Sequence, residues 1–361
     1  MNRSNKKKGH DKVLLLVVFL LIIVGLIILY STSAYNGQNR FHDSFYYLKK
    51  QAFATTLGIA MMYAVAHIDY HVWRRFAIPF YIMAVVLSIA VLFIGDEYNG
   101  SKRWLSFGPL SFQPSEFAKV AVIIFLAFVI EKRVRHIKKI RHMILVILLI
   151  LPIVALVGSN NLSTAIIILG IAIILVFVAS PKYMQFAAIG ASGIGFMTVF
   201  LALESYRLER IAVWRNPENF EKGFQTMQGL YAIGSGGVFG RGLGKSIQKL
   251  GFVPEAQNDM IFSIICEELG LVGATLVVGL FLILIWRFFV IAVKAKDLFG
   301  ALIVTGVMGH IIIQVTLNIA VVTNTIPNTG ITLPFVSFGG TSVLFLLTEM
   351  GLVLSVSNLL E

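Results

Sequence analysis

Charge is scarce in this sequence. Only 13% of its 361 residues are Asp, Glu, Lys or Arg, about half of the roughly 25% carried by a soluble globular chain. That shortfall excludes an ordinary water-soluble domain. Cysteine is almost absent too. The single thiol, Cys266, has no partner in the chain, so no intrachain disulfide is possible and cysteine says nothing about compartment. No spacing of His, Cys and carboxylates suggests zinc. No low-complexity segment or convincing internal repeat is found. Acids are the scarcer sign, 18 against 30 Lys and Arg, for a net charge of +12. A basic excess can signal nucleic acid. Here it sits in short clusters between apolar runs, as expected of cytoplasmic loops in a membrane protein, and no nucleic-acid partner is expected.

What is plentiful is apolar. Hydrophobic residues make up 57% of the chain and the mean hydropathy is +0.85. A membrane span takes about 20 apolar residues, and ten runs qualify: 13–30, 52–67, 77–94, 117–131, 143–158, 162–180, 184–203, 260–291, 301–323 and 335–357. The expected fold is all-α, a single membrane domain over 1–361 with about ten transmembrane helices. The first run follows Lys6-Lys7-Lys8 and precedes Ser31-Thr32-Ser33-Ala34, which mimics a cleavable signal. Its 18 residues exceed a signal core of about 7–15, so it reads as a retained span. The run 260–291 is long enough to tilt or project.

Arg3, Lys6, Lys7, Lys8 and Lys12, then Arg74 and Arg75, then Lys132, Arg133, Arg135, Lys138, Lys139 and Arg141, then Arg287, Lys294 and Lys296 fall on one side of a ten-span chain. That side is expected to be cytoplasmic, with both termini there and 1–12 as a tail. Two outer connections, 95–116 and 204–259, exceed the about 12–15 residues beyond which loops are usually functional or disordered. The longer one holds Trp214, Phe220, Phe224, Tyr231, Phe239 and Phe252, which argues for order.

Acids at a membrane rim are functional candidates by default. Asp259 stands where a polar loop enters a span. It reads either as a helix cap favoured by the dipole or as a catalytic group. Glu267 and Glu268 follow about two turns in. On an ideal helix Glu267 flanks Asp259 and Glu268 points away, so the two are expected to have different, structural partners. In Gln113-Pro114-Ser115-Glu116-Phe117-Ala118-Lys119, proline suits the first helical turn and Glu116 can pair with Lys119 three residues on. The pair either anchors the span or lines an outward cavity. Lys102-Arg103-Trp104 places two cations beside an indole, which suits an anionic headgroup, although an aromatic belt gives the same pattern. The glycine-rich run 234–246 is not a P-loop, because Phe239 stands where that motif needs glycine. Close backbone approach or tight turns is its expected use, and its amides could hold a phosphate. Arg207 and Arg210 are placed for phosphate contact or for snorkelling. The small residues of 332–342 permit close helix packing.

Gly100-Ser101-Lys102-Arg103-Trp104, Gln113-Pro114-Ser115-Glu116, the glycine run, Pro254-Glu255-Ala256-Gln257-Asn258-Asp259, Glu267-Glu268-Leu269-Gly270 and Leu333-Pro334-Phe335-Val336-Ser337-Phe338-Gly339-Gly340 occur in one order. That order strongly resembles the SEDS family of shape, elongation, division and sporulation proteins, over nearly the whole chain. Asp43-Ser44-Phe45 and the Pro-Glu-Ala-Gln run look nearer its division and sporulation members. The resemblance implies a ten-span peptidoglycan glycosyltransferase. Its substrate would be lipid II, the undecaprenyl-diphosphate-linked disaccharide-pentapeptide, and its partner a class B penicillin-binding protein. The family's essential aspartate falls on Asp259. Three positions depart from the usual pattern: Asn161 replaces an aspartate, Phe338 a tyrosine, and Asn258 a threonine.

The expected mechanism has Asp259 as general base in an inverting transfer. Lys102, Arg103, Lys119 and Arg210 are the candidate diphosphate contacts. Trp104, Glu116, Gln225 and Ser337 complete the candidate substrate-binding set. A divalent cation, Mg or Mn, could share the phosphate charge, and no metal ligand is assigned. A lipid II flippase and a non-catalytic scaffold that activates the transpeptidase are the alternatives.

Overall fold

The computed structural model describes residues 9–98, 101–107, 110–134, 140–180, 182 and 212–360. Nine long helices are described: α1 (Lys12–Phe41), α2 (Tyr46–His67), α3 (Trp73–Ile94), α4 (Pro114–Arg133), α5 (Ile140–Asn160), α6 (Leu162–Ala179), α8 (Ile261–Val293), α9 (Leu298–Val322) and α10 (Gly340–Asn358). A shorter helix, α7 (Phe224–Gly236), precedes α8. The expected span 184–203 and Arg210 lie outside the described residues.

Among these helices, seven are long and apolar enough to cross a membrane: α1, α3, α5, α6, α8, α9 and α10. The exceptions, α2 and α4, have polar residues built into them. On α2 these are Lys49, Lys50 and Gln51. On α4 they are Glu116 and Lys119 near the start and Glu131, Lys132 and Arg133 at the end. Helix α4 packs against α3, α5, α6, α9 and α10 and is buried along most of its length. Its first-turn charges therefore face protein rather than lipid, which is where intramembrane charges are tolerated.

From α1 to α6, and again from α8 to α10, successive helices alternate in direction, so the described connections fall at two ends. At one end Asn36 of α1 donates to Gln257 Oε1 at 3.1 Å, Ser163 of α6 to the Thr329 carbonyl at 2.6 Å, and Thr341 of α10 to the Ser111 carbonyl at 2.8 Å. At the other, Arg74 pairs with Glu131 at 2.6 Å, and His71 Nε2 lies 2.6 Å from Asp297, the N-cap of α9. Among the described residues, the basic connections expected on one side thus meet at one end, opposite the acid Asp259. Helix α6 finishes at the basic end, and Trp214 is back at the other, its indole N–H donating to the Asn324 carbonyl at 2.9 Å.

Three features depart from the expected boundaries. The connection 95–116 is not plain loop but three short antiparallel strands, β1 (Asp96–Tyr98), β2 (Ser101–Phe107) and β3 (Leu110–Phe112), in that order, with Asp96 opposite Trp104 and Leu105 opposite Phe112. The last span begins at Gly340, not at 335, because Phe335 adopts φ 62 and turns the chain out of helical register. The third is α8 itself, which does not tilt as one long rod.

Helix α8 spans 33 residues and is broken at Gly270, with φ 66 and ψ −163. The break opens the helical pairs 267–271 and 268–272, and the glycine-rich loop takes all four freed backbone groups. The Leu271 and Val272 N–H groups donate to the Gly237 and Val238 carbonyls at 2.9 and 3.1 Å. The Arg241 and Gly242 N–H groups donate to the Glu267 and Glu268 carbonyls, both at 2.9 Å. Buried backbone groups must find partners, and this exchange leaves none of the four unpaired. It also explains the glycines. A Cβ on Gly240, itself at φ 75, would lie 2.2 Å from the Glu268 carbonyl oxygen, and one on Gly270 would lie 2.3 Å from the Gly240 nitrogen.

Candidate active site

The chain just before α8, residues 251–260, is a run of turns that carries Asp259 as its second-to-last residue. It is tied down from several directions. The Gln257 side chain is held by Asn36 of α1, and its carbonyl accepts from the Phe338 N–H at 2.9 Å. The Asn258 side chain donates to Glu255 at 2.7 Å. Asn318 of α9 uses its single amide nitrogen twice, donating to the Asp259 carbonyl at 2.8 Å and to the Ile331 carbonyl at 2.7 Å. Asp259 is therefore a fixed point between α7, α8, α9 and the segment 324–339.

Asp259 is not the N-cap of α8. That position is Met260, and no side chain caps it. The half-buried carboxylate instead accepts a long hydrogen bond, 3.4 Å, from Gln225 Nε2 of α7. Burial pushes its pKa up to about 6. Glu255 adds to the rise, while Gln225 and the backbone N–H groups of Asp259 and Met260 oppose it. A carboxylate poised near neutrality is what proton abstraction requires. Gln225, expected as a substrate contact, is thus a direct neighbour of the acid.

Glu116 and Lys119 meet as their spacing requires, 3.0 Å apart, with side-chain exposures of 8% and 2%. The ammonium also donates to Gln314 Oε1 of α9 at 3.3 Å. Lys119 is enclosed, so it acts on its surroundings from inside the bundle rather than from a wall open to solvent. Glu116 Oε2 is buried without a hydrogen-bond partner among the described residues.

Lys102 and Arg103 lie elsewhere at the same end. The Arg103 Nε–H donates to the Asn160 carbonyl at 2.9 Å, and the Asn160 amide donates to the Lys102 carbonyl at 2.8 Å. With Pro114, Ser115 and Asn161 they line a narrow cleft whose walls do not include Asp259. Trp104 stands on β2 and is partly exposed. Ser337 is buried, its hydroxyl accepting from the Leu333 N–H at 2.8 Å and closing the turn that leads into α10.

Asn161 is the N-cap of α6, its side chain accepting from the Thr164 N–H. Asn and Asp cap about equally well, so the departure keeps this structural role. Glu267 and Glu268, both fully buried, have different main partners, on the loop before α8 and, for Glu268, also on α1. Glu267 takes the Ser246 hydroxyl, the Ile247 N–H at 3.0 Å and Arg241 at 3.7 Å. Glu268 takes Lys249 at 2.6 Å and Ser31 at 2.7 and 2.8 Å. They clamp the glycine-rich loop onto α8. Among the described residues no group of three His, Cys, Asp or Glu side chains converges.

Three residues of α9 went unnoticed in the sequence: His310, Gln314 and Asn318. They recur every fourth position and so share one face. All three are buried, and His310 lies 2.8 Å from Glu349 of α10. The available signal was polar residues at helical spacing inside an apolar run.

The sequence profile of the FtsW/RodA/SpoVE family, described as cell cycle protein, matches residues 11–361. The chain belongs to this family. Stage V sporulation protein E of Bacillus subtilis is 39% identical over 98% of this chain and 99% of that one. A probable peptidoglycan glycosyltransferase FtsW of Geobacter is 34% identical over 97% of both. Among solved structures, a chain of a peptidoglycan synthase complex coordinating polymerization and crosslinking superposes with a TM-score of 0.82 at 28% identity, covering 97% of this chain and 98% of that chain. The rod shape determining protein RodA of Thermus thermophilus gives 0.71 at 27% identity, over 97% of each chain. As an FtsW/RodA/SpoVE family member the chain is a multi-pass membrane protein.

Proposed function

We propose that this protein is a peptidoglycan glycosyltransferase that polymerises lipid II on the extracytoplasmic side of a bacterial membrane, in division or sporulation. The observation that carries the reading is Asp259: a fixed, half-buried carboxylate with a pKa of about 6 at the mouth of α8. In the proposed step its carboxylate takes the proton of the acceptor sugar's 4-hydroxyl. That oxygen bonds to the donor's anomeric carbon, and the bond to the lipid diphosphate breaks on the opposite face, inverting the centre. Stabilising the developing diphosphate charge is the second requirement of such a transfer. Lys102, Arg103 and Arg210 are the candidate contacts, with a divalent cation as a further candidate. Both substrates are lipid-anchored, so a base at the rim can meet a sugar while the prenyl tails stay in hydrocarbon.

The clustering of basic connections at the end opposite Asp259 supports an extracytoplasmic site and cytoplasmic termini. The return of the chain to the Asp259 end at Trp214 supports ten spans with the long loop 204–259 outside. Relatives named as glycosyltransferases support the activity. The neighbour from a complex that couples polymerization to crosslinking supports a class B penicillin-binding protein as partner.

The test uses the purified full chain with its transpeptidase in proteoliposomes supplied with lipid II. Glycan strands are expected on a gel. Altered lipid II accessibility without glycan would instead assign transport, and a transpeptidase activated by the chain without new glycan would assign a scaffold.

A further inference from the structure

The buried stripe on α9 has an order that the proposed chemistry alone does not require. Gln314 Oε1 accepts from two donors, His310 Nε2–H at 2.7 Å and Lys119 Nζ at 3.3 Å, while Gln314 Nε2 donates to the Thr332 carbonyl at 3.0 Å. These neighbours permit one orientation of the amide. Flipped, its NH2 would face an ammonium and an N–H, and its oxygen a carbonyl. His310 enforces that orientation only while Nε2 carries a proton. Glu349 holds the other side of the ring, its two carboxylate oxygens 3.0 and 2.8 Å from Nδ1. Lys119 and the Thr332 carbonyl fix which end of the amide faces His310, so Nε2, 2.7 Å from Oε1, is the donor. The groups involved, Glu116, Lys119, His310, Gln314 and Glu349, are all buried and come from α4, α9 and α10. The Glu349–His310–Gln314–Thr332 part of this network, with its hydrogen bonds made, rigidifies what it touches.

What it touches is the wall of the site. Gln314 holds Thr332 by its carbonyl. One turn further along α9, Asn318 holds Ile331 and the Asp259 carbonyl with the same amide. A Cβ on Gly330 would lie 3.9 Å from Asp259 Oδ2. Gly330 is therefore backbone beside the carboxylate, and the residues that follow it, Ile331 and Thr332, are held from within the bundle.

We propose that His310 and Glu349 are positioning residues for glycosyl transfer: acting through Gln314, they hold the 330–333 segment against Asp259. Neither side chain touches the site itself. The proposal rests on the glycosyltransferase reading above, and misplacing a reacting group by about 1 Å can cost on the order of a hundredfold in rate.

The test uses the full chain with its partner and lipid II. His310→Ala and Gln314→Leu are expected to lower kcat at least about tenfold with KM within about twofold. Because the two residues act in series, the double variant should lose no more than the worse single. Glu349→Gln, whose amide can still bond Nδ1, should keep kcat within about threefold, whereas Glu349→Leu should behave like His310→Ala. A His310→Ala enzyme with wild-type kcat, or single losses that multiply in the double variant, overturns the proposal. An independent readout is amide hydrogen exchange at residues 331–333, expected to quicken in His310→Ala while α9 and α10 stay protected. Unchanged exchange there overturns the positioning role even if glycan is made. Absence of glycan from the wild type overturns only the enzymatic reading.

Discussion

Asp259→Asn is expected to lower glycan synthesis by a factor of roughly 10² to 10⁴, the usual worth of a general base. The loss should fall on kcat, because the amide keeps the shape of the side chain but cannot take a proton. Stability should move the other way. In the folded chain the carboxyl pKa is raised from 3.8 to about 6. A raised carboxylate binds protons more tightly folded than unfolded, so its ionisation lowers stability as pH climbs through that window, and the full penalty is present at pH 7. Removing the charge should therefore hold or raise the thermal midpoint at neutral pH. An inactive variant at least as stable as the wild type separates a functional acid from a structural one. A loss of folding at pH 7 would point back to a structural role.

Lys249→Met is expected to be the most damaging single change to the fold outside the site. It strips the cation from Glu268, whose carboxylate is fully buried and 2.6 Å from Lys249 Nζ. Breaking one side of a buried pair costs about 3–5 kcal/mol, because the remaining charge is stranded. Ser31 and the Ser246 N–H would still bond Glu268 but not neutralise it. The glycine-rich loop should detach from α8 first, since Lys249 closes the far end of that clamp. Thermal unfolding of the purified protein in detergent reads the loss. Replacing both partners in Lys249→Met/Glu268→Leu should recover most of it, since an apolar pair strands no charge. A double variant as unstable as the single would contradict this reading of the clamp.

Much of this was legible in the sequence, for identifiable reasons. Apolar run length gave α1 to α6 and α8 to α10, while α7 lay inside what read as an outer loop. Asp259 stood out because a carboxylate at a span's mouth is costly, and Glu116 with Lys119 because their spacing pairs them. Other features leave no local mark. A glycine inside a helical pattern reads as tolerated, so the break at Gly270 shows only when the partner loop is present to take its four backbone groups. Phe335 is apolar and next to a span, so composition assigned it to helix, while its positive φ is imposed by the turn around Ser337. Strands as short as β1 and β3 fall below any clear alternation. The stripe of His310, Gln314 and Asn318 barely changes the hydropathy of α9, so it passed as an ordinary span. Its meaning depends on Thr332, Lys119 and Glu349, which are distant in sequence or on other helices.

Asp259 as the catalytic base is tested most directly by the pH dependence of kcat/KM for glycan synthesis by the purified complex, from about pH 5 to about pH 8. The base works only when ionised, so the wild-type value should rise with unit slope at low pH, reach half its plateau at about 6 and then level off. The residual activity of Asp259→Asn should lack that limb. A flat wild-type profile across this range, or the same limb surviving in Asp259→Asn, would contradict the assignment.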